Sequence, residues 1–118
     1  MTPDAIRALD GPGLTALAWR LGLASAYPYD RTGVPYNWAP HIERGQAYDA
    51  LCLIPPQWHW EIEHDALNGR QSNVRMYQAR TGHFYHQQFR TPHEEAYALL
   101  LVACLAVASE AEEPYRDE

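Results

Sequence analysis

The sequence predicts an α+β domain in ααβββα order: a three-stranded antiparallel meander packed with N-terminal, middle and C-terminal helices. Three observations carry this reading. The segment Gln57–Asp65 alternates, with Trp58, Trp60 and Ile62 on one side of an extended strand and His59, Glu61, Glu63 and Asp65 on the other. Turn signals at Asn68-Gly69 and Thr81-Gly82 then set off two further strand-length segments, Asn73–Arg80 and His83–Phe89. Finally, Thr91-Pro92-His93-Glu94 is a capping box with proline at the first helical position, and it opens the apolar run Ala96–Ala108.

The elements follow in order. Thr2-Pro3-Asp4 starts a helix, with a capping hydroxyl ahead of proline. Asp10-Gly11-Pro12-Gly13 reads as a turn that breaks it, after which Leu14, Leu17, Ala18 and Leu21 recur at helical spacing up to a stop at Gly22. Residues 24–41 hold three prolines and no apolar period, so they read as a long loop; its rings at Tyr27, Tyr29, Tyr36 and Trp38 are too apolar to be left free in water. A helix over Ile42–Leu53 is closed by Pro55-Pro56. The last helix is apolar nearly all round, which requires burial on most faces. Shared strand parity predicts a core of Trp58, Trp60, Ile62, Val74 and Met76 against Leu99, Leu100, Val102, Ala103 and Ala106, with Trp60→Ala costing about 3–5 kcal/mol. The third strand has apolar residues on both parities, so its buried side stays open. The domain should occupy residues 1–110, followed by an acidic tail over 111–118.

Composition narrows the function. The 118 residues carry a formal net charge of −6, which disfavours non-specific nucleic-acid binding because that affinity comes from cations on phosphates. The last nine residues hold five carboxylates, Glu110 among them, and read as a solubilising fray. All nine basic residues are arginines, a pattern that GC-rich codon usage explains without invoking function. Six histidines should make solubility and association respond to pH between about 5 and 7. Cys52 and Cys104 lie in apolar helical runs without CxxC spacing and read as buried small hydrophobes in a reducing compartment. The thirteen-residue run Ala96–Ala108 falls short of the roughly eighteen expected of a membrane span, and no signal peptide is visible. The expectation is a cytoplasmic protein with no membrane association.

The element order, together with three segments, resembles the phage ABA sandwich family, small single-domain proteins encoded in phages and prophages. The segments are Trp38–Cys52, Trp58–Glu61 as the first strand, and Thr91-Pro92-x-x-x-Ala96-x-Ala98 at the start of the last helix. The likeness covers most of residues 3–110. This chain departs from it where Asn37-Trp38-Ala39-Pro40-His41 replaces a tyrosine–serine–aspartate type approach to the middle helix. The resemblance implies a phage context, with the host cytoplasm as location, and no activity.

No catalytic or cofactor signature stands out: there is no P-loop, Gly-x-Gly-x-x-Gly, nucleophile elbow or H-E-x-x-H. His59, Glu61, Glu63 and Asp65 share one strand face and could in principle serve acid–base chemistry or hold a metal. Residues two apart on a strand are about 6.5–7 Å apart, however, so one strand rarely supplies several ligands to one ion. A solvated face paired to Arg75 and Arg80 is the simpler reading. No metal and no cofactor are expected. The other candidate is a binding patch of Tyr27, Tyr29, Arg31, Tyr36, Asn37 and Trp38, whose rings and directional polar groups suit recognition of a host or phage protein. The same rings could instead pack as a lid over the helices. Non-covalent binding to a protein partner, including a counter-defence role, is therefore the leading expectation. An enzyme or metal protein using the His/Glu face is one alternative, and a virion assembly component is another, although no long exposed edge pattern for self-association is visible in the sequence.

Overall fold

In the structure of the protein, a computed structural model describing residues 2–23, 38–64 and 72–112, the order is the expected one. Helices α1 (Pro3–Arg7), α2 (Gly11–Arg20) and α3 (Arg44–Leu51) precede strands β1 (Trp58–His64), β2 (Ser72–Gln78) and β3 (Phe84–Phe89), and α4 (Pro92–Glu112) follows. The strands form one antiparallel sheet in the order β1-β2-β3.

The caps account for the helix limits. Thr2 accepts from the Ala5 amide at the start of α1. Asp10 accepts from Gly13 N at 2.8 Å, so Asp10-Gly11-Pro12-Gly13 is the first turn of α2 with its cap, not a break before it. At the other end Gly22 takes φ +84°, and Leu23 N and Gly22 N bond back to Ala18 O and Trp19 O, the paired closure that a left-handed glycine permits. The capping box of α4 is reciprocal: Thr91 Oγ1 accepts from Glu94 N, while the Glu94 carboxylate accepts from the amides of Arg90 and Thr91. Between β2 and β3 the chain turns through Gly82, at φ +77°.

Helix α4 lies in the middle of the molecule, with β2 and β3 on one side and α1, α2 and α3 on the other. That position explains its all-round apolar sequence, for every residue from Ala98 to Ala106 is buried. The sheet contributes Trp58, Val74, Met76 and Phe89 to this core, and β3 turns its Tyr85, Gln87 and Phe89 parity inward.

Three expectations are corrected. Trp60 shares the inward parity but is 37% exposed, and Ile62 is only partly buried, because α4 covers β2 and β3 and leaves the β1 margin uncovered. Cys52 is exposed at the C-terminal cap of α3, whereas Cys104 is buried and its thiol is pushed up to about 12 by desolvation. Glu110 does not fray: its carboxylate accepts from Trp58 Nε1 at 2.8 Å and Gln78 Nε2 at 3.1 Å, clamping the end of α4 to the sheet. The helix itself continues to Glu112.

Candidate functional site

The pleat that sends Trp58, Val74, Met76 and Phe89 toward α4 sends alternate residues the other way, and among the described residues no element packs over that second face. The strand register aligns them in rows: His59 opposite Tyr77 opposite Phe84, then Glu61, Arg75 and His86, then Glu63, Asn73 and Gln88. The first row is aromatic across all three strands. Tyr77 is 44% and Phe84 is 53% exposed, and the His59 ring stacks on Tyr77 with centroids 5.2 Å apart. Phe84 is also in contact with the His86 ring at 5.6 Å.

Beside the rings, Arg75 bridges two carboxylates of β1, at 3.5 Å from Glu61 and 2.8 Å from Glu63. The acidic face expected from the sequence is thus arginine-paired, with Arg75 as partner; Asp65 lies outside the described residues. One guanidinium against two exposed carboxylates leaves this part of the face with a negative balance. No group of three potential metal-binding side chains occurs among the described residues.

Other polar clusters are occupied by structural work. Buried Glu95 is paired with Arg44 at 3.0 Å where α3 meets α4, and the Arg44 guanidinium lies over the Tyr48 ring. His83 stacks against Trp58 and Tyr85, and its Nδ1 faces Thr81 Oγ1 at 2.8 Å and Ser109 Oγ at 3.3 Å. The Glu110 carboxylate, next in sequence to Ser109, is engaged by Trp58 and Gln78. A groove of about 470 Å³ runs between the end of β3 and the start of α4, lined by Gln87, Gln88, Arg90, Glu94 and Tyr97. Its Glu94 serves the helix cap, and Tyr97 donates its hydroxyl to Leu9 O at 2.7 Å. Burial raises the Tyr97 pKa, which makes the phenol a poorer proton donor to any ligand.

Of the residues expected to bind a partner, Tyr27, Tyr29, Arg31, Tyr36 and Asn37 lie outside the described residues. Trp38 is buried, 7% exposed, and belongs to the hydrophobic core. Its neighbour His41 meets Thr15 Oγ1 at 2.7 Å and rests on Gly11, where a Cβ would come within 2.6 Å of the ring. The loop is therefore anchored to α2 at its C-terminal end. Tyr77 and Phe84 were missed in the sequence, although the alternation in Asn73-Val74-Arg75-Met76-Tyr77-Gln78 already puts Tyr77 opposite the apolar side.

Comparison of the chain with protein-family models, with curated proteins and with solved structures found no match. No helix among the described residues is long and apolar enough to cross a membrane.

Proposed function

We propose that this protein is a binding module that recognises a protein partner, host or phage in the context the sequence resemblance implies, through the open face of its sheet. The observation that carries the reading is the row His59, Tyr77, Phe84. Rings that stack on one another but are covered by no other described element keep large apolar area available, and aromatic side chains bury that area with little loss of rotamer freedom. The carboxylates of Glu61 and Glu63 flank the row, so the partner surface that fits it is apolar at its centre with a basic margin. The same carboxylates, with the overall charge of −6, disfavour a phosphate backbone on these rings.

A photo-cross-linking side chain at position 84 tests the proposal against one at Arg20, on the exposed surface of α2. Cross-linking to a defined cellular protein from position 84 alone, abolished by Tyr77→Ser, supports it. Equal labelling from both positions, or labelling indifferent to Tyr77→Ser, overturns it.

A further inference from the structure

The two edges of the sheet are treated differently. In the β2–β3 ladder Gln78 N donates to His83 O, which makes 78/83, 76/85 and 74/87 the hydrogen-bonded pairs and turns the backbone groups of Phe84, His86 and Gln88 outward. Two of those outward carbonyls are capped by side chains: Arg7 Nη2 donates to His86 O at 3.2 Å, and Gln87 Nε2 to Gln88 O at 3.2 Å. This edge is guarded against strand addition.

The β1 edge is not. By the same alternation Tyr77, Arg75 and Asn73 pair with β1, so the backbone groups of Trp60 and Ile62 point away from the sheet, and among the described residues nothing bonds to them. The strand is seven residues long and carries no proline, lysine or arginine. Of its outward backbone groups, Trp58 N is used, bonded to Pro55 O at 3.1 Å.

We propose that the β1 edge docks against the β1 edge of a second copy of this chain, antiparallel about a two-fold axis at Trp60, joining two three-stranded sheets into one of six strands. Charge excludes the registers shifted toward the C-terminal end of β1, and a shift the other way, to His59, leaves only residues 58–60 of the strand paired. With Trp60 opposite its own copy, His59 faces Glu61 of the other chain twice. Shifting the axis to Glu61 sets that carboxylate against itself, and a further shift sets Glu61 against Glu63. His59 and Glu61 then form non-hydrogen-bonded pairs, the closer kind, at about 4.5 Å between Cα atoms. On the inward side Trp60 meets Trp60, and Ile62 meets Trp58, which covers the apolar margin that α4 leaves open. Trp60 donates to and accepts from its copy, and each Ile62 amide reaches the Trp58 carbonyl opposite. A C2 dimer of this kind uses one patch twice and closes on itself, leaving no free β1 edge.

The test is sedimentation velocity on the full chain from micromolar to millimolar concentration, with Trp60→Lys and with His59→Cys/Glu61→Cys in a Cys52→Ser background. The expected result is a concentration-dependent dimer, weakened about tenfold or more by Trp60→Lys because two lysines then face each other. The cysteine pair should give a covalent dimer on mild oxidation. His86→Cys in the same background, on the far edge of the sheet, should not. Circular dichroism checks that Trp60→Lys folds; if it does not, the cysteine variants alone decide. A monomer at every concentration, or a dimer that neither responds to Trp60→Lys nor cross-links through 59 and 61, overturns the proposal.

Discussion

The two faces of the sheet are made by the same strands and differ only in residue parity, yet they do opposite things. On the covered face Trp58, Val74, Met76 and Phe89 are buried against the core built on α4, while on the open face Tyr77 and Phe84 keep 44% and 53% of their surface in water. Composition does not separate them, since both faces carry large rings. What separates them is where α4 lies. The contrast recurs within a single strand: Trp58 and Trp60 share parity and differ by two residues, but are 4% and 37% exposed, because Trp58 sits under α4 with its indole bonded to Glu110 while Trp60 reaches past the helix toward Tyr48, 5.9 Å away. The covered face should therefore carry the stability and the open face the recognition.

The division can be broken most sharply at Trp58. Trp58→Ala should cost about 3–5 kcal/mol, because it empties a core site and removes a donor from the Glu110 carboxylate. Chemical denaturation showing a loss below about 1 kcal/mol would mean that α4 does not cover Trp58. Trp60→Ala should cost less, about 1–2 kcal/mol, since more than a third of the residue is already in solvent. Equal losses at the two tryptophans would erase the gradient across β1. The same depth contrast holds for the thiols: a cysteine reagent should label Cys52 in the native state at neutral pH and leave Cys104 untouched.

A pH series sharpens the picture of the buried side. Burial raises the Cys104 thiol from 9.0 to about 12, so the folded protein keeps a proton that the unfolded chain releases. The resulting stabilisation is fully present below pH 9 and is lost as pH rises from 9 toward 12, on the order of 1 kcal/mol by pH 10. Tyr97, raised chiefly by burial, acts in the same direction. Urea midpoints at pH 7 and pH 10 should show the decline, with a shallower slope in Cys104→Ala. The smallest effect is expected on the open face, where Tyr77→Ser and Phe84→Ser should each cost less than about 1 kcal/mol, the range of a lost cross-strand pair.

Element types and order were legible in the sequence because the periodic signals were strong: alternation in β1, the glycine turn before β3 and the capping box of α4. The misjudged boundary at Gly11–Gly13 has a local cause, as Gly-Pro-Gly reads as a turn until Asp10 is seen to cap it. Trp60, Cys52 and Glu110 were misplaced for a different reason: parity and periodicity say which way a side chain points, not how far the covering helix extends. The pairing of Glu61 and Glu63 with Arg75 was readable from the meander, whereas the aromatic row needs the register of all three strands at once. Of the loop patch, Trp38 shows the difficulty most plainly, since a tryptophan among tyrosines reads equally as a contact or as core and is in fact buried.

The most direct measurement compares cross-linking to one partner by three folded proteins: the unaltered chain, the Tyr77→Ser/Phe84→Ser variant, and the Tyr29→Ala/Arg31→Ala/Tyr36→Ala variant, each carrying a photo-reactive group at Gln88 on the same face. The sheet-face pair should lose the partner at an almost unchanged melting temperature while the loop triple retains it. Loss of the partner in the loop triple, with the sheet-face pair still bound, would move recognition off the sheet.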